Sequence, residues 1–542
     1  MAEIPSTHRA LAKTERKPIP GAKKIGPADP NEKLTVSIRV RRRQDAPAMP
    51  GLRDYAPNAP RQRFTREEFA AKFGASPQDL ERVAQFGEEY GLKVVESSIA
   101  RRTVVLAGTV AQMNRAFAVD LGRYESARGP YRGREGAVNL PKELDGVVQG
   151  VFGLDNRQMA RRMSGKGPYS LAPRQIAELY QFPLSISAEG QTIGLFEFGG
   201  GYKTSDIQEY FSSQGLETPA LTFVPKDGIT NLPGSDSLFD LEVAVDIEVA
   251  GAVAQGAAIV VYFAPWTEQG WLDIVTTAIM GEDLPPDWKA PDVISISYGW
   301  SELETVNDLA WTQAAVDAIS ETFREAAMLG TTVFVASGDD GSSGETKDGR
   351  AHVNYPATDP WVTCCGGTTI TNINGNSFTE LTWNEGGKHD GITGGGVSDL
   401  FDVPYWQKWA NVPVSVNGVR TGRGIPDIAG YADGYKIYAD GHWEGGISGT
   451  SEAAPLYAGL MALVNAAIAD PVGYINPILY NLSYDGVFRD IADGGSNASN
   501  GAPGYTSVQG WDACTGWGSV NGSALLNAIE TALFTMILPT LV

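Results

Sequence analysis

Short, nearly unbroken apolar runs recur along the C-terminal two thirds of the chain, at 192–198, 258–263, 293–297, 331–336 and 362–365. Apolar character over so few residues predicts strands buried on both faces. Between them, 205–214, 271–280 and 308–329 repeat apolar residues at helical spacing, and a run from Asp240 to Ala254 reads as an amphipathic helix. The alternation predicts an α/β fold with a parallel, doubly wound sheet, whose ligands collect at the carboxyl ends of the strands.

The first third has a different rhythm. Residues 34–40 alternate as a strand, 66–90 read as two helices split near Gly74-Ala75-Ser76-Pro77, 92–95 and 103–106 as strands, and 110–117 as a helix. Strand-helix-strand-strand-helix-strand is the split βαβ, ferredoxin-like α+β pattern. Residues 1–33 are rich in Lys, Pro and Ala without a period and are expected to be a disordered tail. The basic stretch within 157–170 reads as an exposed linker, where proteolytic nicking concentrates. The expected organisation is a tail at 1–33, a small domain at 34–156, a linker at 157–170 and a large domain at 171–542.

Charge sharpens that division. The formal net charge is -21, yet residues 1–166 hold 30 Lys and Arg against 19 Asp and Glu, and the remainder 13 against 45. A basic N-terminal part joined to a strongly acidic C-terminal part argues against a nucleic-acid binder. The two parts should attract while carboxylates are ionised, and few cations are left to repel in acid. Cys364, Cys365 and Cys514 form neither a disulfide framework nor a metal spacing and are expected in the core. The start of the chain lacks the apolar stretch of a signal peptide, and no run of about 18 apolar residues would span a membrane.

The chemistry centres on Ser451, in Ser448-Gly449-Thr450-Ser451-Glu452-Ala453-Ala454-Pro455 ahead of an apolar run. Small residues allow a sharp turn there, and a serine opening a helix is either a cap or a nucleophile. The pattern Gly-Thr-Ser-x-x-x-Pro resembles the serine signature of subtilisin-like peptidases. Such enzymes take the serine proton with a histidine. The four histidines here, His8, His352, His389 and His442, do not stand in the setting those enzymes use. Glu242 and Asp246, four apart on one helix face, are the alternative base, unless they form a solvated acidic stripe. Asp339, in Ser337-Gly338-Asp339 after an apolar strand, stands where subtilisin-like enzymes place an oxyanion-hole asparagine.

In this order and these contexts, Glu242, Asp246, Asp339 and Ser451 resemble the serine-carboxyl peptidase (sedolisin) family, kumamolisin-like branch. Leu179-Tyr180-Gln181-Phe182-Pro183, Phe196-Glu197-Phe198-Gly199-Gly200-Gly201-Tyr202 and Gly394-Gly395-Gly396-Val397-Ser398 extend the resemblance over nearly the whole chain. It implies a subtilisin-like catalytic domain preceded by an inhibitory prodomain; the basic linker and the neutralisation of carboxylates in acid point to self-processing below about pH 5 around Arg161 to Gly167. The resemblance also implies an endopeptidase acting in acid on proteins or peptides, extracellular and monomeric, with no nucleic acid or membrane partner.

The resemblance assigns roles that the chemistry supports. A histidine is already protonated in acid, whereas a glutamate, with a reference pKa near 4.3, still accepts a proton. Asp246 would orient Glu242 and titrate with it as a unit. Asp339 must be neutral to donate to an oxyanion. Glu197 matches a glutamate that extends the hydrogen-bond chain, and Tyr298 stands where the family has tryptophan. One Ca2+ site is implied, with side chains from Asp490 and Asp512 and carbonyls from Ile491, Val508 and Gly510. Two other readings remain open: an inactive pseudo-peptidase that only binds, and a neutral subtilisin-type enzyme.

Overall fold

The computed structural model describes the chain apart from residues 1–3, 58, 60–62, 163–164, 167–169, 306–307, 345, 387–390, 483–485 and 538–542. In the N-terminal domain, strands Lys93–Ser98, Thr103–Thr109, Lys33–Val40 and Val148–Phe152 lie side by side in that order, all antiparallel. Helices α1 (Arg66–Phe73), α2 (Pro77–Glu89) and α3 (Val110–Phe117) complete the ferredoxin-like arrangement. Thr65 with Glu68 and Thr109 with Gln112 form capping boxes that start α1 and α3. Val36, Ile38, Phe86, Leu106, Met113 and Phe117 give this domain its own core.

The large domain is built on an eight-stranded sheet. Ala220–Pro225, Ala258–Phe263, Thr192–Glu197, Val293–Ile296, Thr332–Ala336 and Thr363–Asn374 run parallel in that order. Ile428–Tyr431 adds in parallel and Ser377–Thr382 antiparallel, both on Thr363–Asn374. Helices α4 (Thr204–Ser213), α5 (Ser237–Val253), α6 (Glu268–Met280), α7 (Gln313–Leu329) and α8 (Ala453–Ile468) cover it, α5 packing on α8 and α6 on α7. The strand centres Ile193–Phe196, Val293–Ile296 and Val333–Ala336 are buried throughout, as apolar runs without alternation require. All three cysteines are buried and free.

Three expectations are corrected. Residues 4–33 are not a disordered tail: His8–Ala10 pairs with Asn139–Pro141, and Lys23–Pro27 with Gly122–Ser126. Arg16 is buried, 3.0 Å from Glu268 on α6, and donates to the carbonyl of Ala310. Composition misjudged the segment because its partners lie about a hundred residues away or more. The first part of the linker is not exposed either, since Arg157, Met159, Ala160 and Arg161 are buried. Finally, α5 is buried on every side from Asp240 to Val253, so its acids form no solvated stripe.

Candidate active site

Three strands end along one edge of the sheet, and each delivers a polar group. Glu197 closes Thr192–Glu197, Ser297 follows Val293–Ile296, and Asp339 lies three residues beyond Thr332–Ala336. Helix α5 brings Glu242 and Asp246 to the same place, and Ser451 sits on the turn into α8. Glu197, Glu242, Asp246 and Ser451 are fully shielded from water and Asp339 nearly so.

The cluster is wired by short hydrogen bonds. Ser297 Oγ donates to Asp246 Oδ1 at 2.6 Å and lies 3.2 Å from the carbonyl of Ser451, so one hydroxyl touches both the acidic helix and the serine turn. Asp246 lies near enough to Glu197 for its charge to favour the protonated glutamate. Tyr298 Oη donates to Glu197 Oε2 at 3.0 Å. Burial, followed by the charges of Asp246 and Glu242, pushes Glu197 well above the usual carboxylate range. Burial and then Glu242 do the same to Asp246.

Asp339 has a directional setting. Its Oδ1 accepts from the Thr450 amide and from Thr450 Oγ1, both at 2.8 Å. Thr450 Oγ1 in turn accepts from the Gly338 amide, which commits its own proton to Asp339. Oδ2 has no hydrogen-bond partner among the described residues. Burial lifts Asp339 to about 7 in spite of the Thr450 bonds. The carboxyl is thus an acid in mildly acidic water, with Oδ2 the oxygen left to carry its proton.

The described histidines are committed elsewhere: His8 contacts Tyr90, His352 Asp348 and His442 Glu444. His389 lies outside the described residues.

A second chain segment already lies across this site. Arg161–Arg162 pairs antiparallel with Tyr298 and Gly299, and Gly165–Lys166 pairs antiparallel with Ile447 and Ser448, just ahead of Ser451. The linker is therefore held on both lips of the cleft.

Comparison with known proteins agrees with this layout. Residues 20–157 match the pro-kumamolisin activation domain, and residues 242–474 match the subtilase family. The chain is 40% identical to kumamolisin from Bacillus sp. (strain MN-32), over 96% of each chain. It belongs to the sedolisin family of serine-carboxyl peptidases. The peptidase is also 31% identical to tripeptidyl-peptidase sed5 of Aspergillus fumigatus, over 94% of this chain and 95% of the relative. Among solved structures it resembles Pseudomonas sedolisin, a serine-carboxyl proteinase complexed with pseudo-iodotyrostatin. That match has a TM-score of 0.58 and 28% identity, over 67% of this chain and 99% of the other.

Sequence reasoning missed Ser297, Thr450 as a partner of Asp339, and Glu452. Polar Ser295 and Ser297 inside an apolar strand are the signal for the first. Glu452 follows Ser451 directly, and its buried carboxyl has no hydrogen-bond partner among the described residues. Burial, with Glu242 and Asp339 nearby, raises it well above the usual range. An acid beside Ala453-Ala454-Pro455 in an apolar string was its only sign.

The residues of the implied calcium site offer oxygen donors only, and the Asp512 carboxylate also accepts from the Cys514 and Thr515 amides. Asp490 Oδ2 accepts from the Gly510 amide at 2.9 Å and Asp512 Oδ2 from the Val508 amide at 3.0 Å, which ties both carboxylates to one loop. Among the described residues no amide donates to the carbonyls of Ile491, Val508 or Gly510. No cluster of three or more His, Cys, Asp or Glu side chains suited to a metal occurs among the described residues, so carbonyls would have to complete the coordination.

Proposed function

We propose that the peptidase is an acid-acting endopeptidase made as a self-processing zymogen, with Ser451 as nucleophile and Glu242 as base. Residues 34–156 are its inhibitory prodomain, reinforced by the ordered segment before it. Residues 157–170 are the activation linker and 171–542 the catalytic domain. The observation that carries this reading is the asymmetric setting of Asp339, one oxygen saturated as acceptor and the other open.

In the proposed reaction Glu242 takes the proton of Ser451 Oγ as that oxygen attacks the scissile carbonyl carbon. The carbonyl oxygen gains the negative charge, and protonated Asp339 donates to it from Oδ2. Protonated Glu242 then gives its proton to the leaving amine, and the peptide bond breaks to leave an acyl-serine. Water, losing a proton to Glu242, attacks the ester, and collapse returns that proton to Ser451. Asp246, Glu197 and Tyr298 hold the base, and Ser297 fixes the helix to the serine turn. Charge on Asp339 would oppose the oxyanion, so the site works below the pH at which that proton leaves, about 7.

Calcium held by Asp490, Asp512 and the three carbonyls would neutralise two carboxylates and tie the C-terminal loops together. An extracellular location rests on the family reading. No helix among the described residues is long and apolar enough to cross a membrane.

The cut that frees the catalytic domain would fall between Arg162 and Gly165, because the linker leaves one lip of the cleft at the first and meets the other at the second. Residues 163, 164 and 167 of the expected processing region lie outside the described residues. The test is mass spectrometry of purified precursor held at acid pH, with Ser451→Ala as control. Fragments ending between 162 and 165 in the wild type alone support the reading. Equal cutting of the serine variant overturns it.

A further inference from the structure

Arg161 enters the cleft as a substrate residue would. Its backbone pairs antiparallel with Gly299, on the amino-terminal side of Gly165, which pairs with Ser448 just ahead of Ser451. Strand addition of this kind is how clefts hold extended peptides, main chain for affinity and side chains for selection. The side chain makes a directed contact: Arg161 Nη1 donates to Asp340 Oδ2 at 2.6 Å. The two side chains keep only 10% and 22% of their exposure, so water screens the pair less than an open surface pair.

Asp340 is held in place independently of the linker. Its carbonyl accepts from Ser343 Oγ at 2.9 Å and from Ser499 Oγ, and its backbone bridges to Ile392. Among the described residues Arg161 is the one side chain that donates to its carboxylate. When the linker leaves, that carboxylate stays behind on a rigid turn, one residue from Asp339 and beside the strand that a substrate backbone would pair with.

We propose that Asp340 is a specificity residue of the mature enzyme. It selects an Arg or Lys side chain at the substrate position that lies opposite Gly299, two to four residues on the amino-terminal side of the cut. This rests on the reading of the cleft as a peptidase site. The linker is then the enzyme's own template for its preferred sequence, and the substrate class is peptides with a basic residue upstream of the scissile bond.

The test profiles matured wild type and Asp340→Asn on a peptide library varied at the four positions before the cut. Matched substrates with arginine or norleucine at the selected position then give kcat/KM. Wild type should favour arginine about tenfold, the size of one shielded charge-assisted bond. Asp340→Asn should bring the ratio near one. No basic preference in wild type, or one that survives in Asp340→Asn, overturns the proposal. Should the variant lose the norleucine rate as well, inhibition of wild type by synthetic 157–166 peptide decides. Replacing Arg161 by alanine in that peptide should weaken inhibition about tenfold, and equal inhibition overturns the proposal. If matured wild type cleaves nothing in acid, or Ser451→Ala cleaves equally, the peptidase reading itself fails.

Discussion

Arg42 of the N-terminal domain donates to Glu325 of α7 at 2.5 Å, across the boundary between the two domains. Arg39 and Arg102 reach the same carboxylate at 3.3 Å, and Glu321, one turn earlier on α7, lies 3.1 Å from Arg42. Arg16–Glu268, Arg101–Glu282 and Arg128–Glu304 repeat the polarity, base on the small domain and acid on the large one. Lys226–Glu96 is the reverse case. The uneven charge of the sequence is thus used at the domain interface.

Acid should loosen this lock. Burial alone would raise Glu321, but Arg102, Arg42 and Arg39 hold it at about 2. A depressed carboxylate contributes fully above its ordinary pKa, near 4.5, and the contribution is lost as pH falls toward 2. Within the large domain one buried acidic pair has the opposite sign. Burial and Asp273 lift Asp227 to about 8, so its contribution is full in acid and lost as pH rises toward 8. Ser451→Ala precursor nicked in the linker should therefore separate into domains below about pH 4.5, read by size-exclusion chromatography. Arg42→Ala should move release to higher pH. High salt at pH 7 tests the same contacts by screening. If it changes nothing, the apolar contacts of Phe69, Phe73 and Phe152 hold the domains together instead.

Ser451→Ala and Glu242→Ala should each lower kcat by a factor on the order of 10⁴ to 10⁶, since nucleophile and base act as one unit. Circular dichroism should show both variants folded. A Glu242→Ala enzyme that keeps most of its rate would remove the base assignment.

Asp339 offers a finer test. Asparagine keeps an acceptor for Thr450 and a donor in place of Oδ2, and it does not ionise. Asp339→Asn should retain activity at pH 4 and keep it to higher pH than wild type, where Asp339 loses its proton near 7. Asp339→Ala should lose roughly 10² to 10³ in kcat. If asparagine is as damaging as alanine, a donor role is wrong.

Chelation addresses the metal. A cation bound only by the folded chain stabilises it, so EDTA should lower the melting temperature and added Ca2+ restore it. Asp512→Asn should abolish the calcium response. A melting curve indifferent to EDTA removes the site.

Both domains were legible because their signals are local. Apolar runs such as 258–263 and 293–297 predicted strands that match Ala258–Phe263 and Val293–Ile296 to within a residue. Glu242, Asp246, Asp339 and Ser451 were named on motif context and come together at one sheet edge. What failed depends on distant partners. Residues 4–33 and the linker gain order from strands and acids far along the chain, which composition does not register. The full burial of α5 was hidden because its acids imitate a polar face. Ser297 and Glu452 were visible as letters, but their contacts exist only once three strands and two helices converge.

The most direct test of carboxyl-based serine catalysis is the pH dependence of kcat/KM of the matured enzyme on a neutral peptide. A glutamate base and a protonated aspartate donor predict a maximum at roughly pH 3 to 5 and loss of activity near neutrality. A maximum above pH 7 would contradict the mechanism.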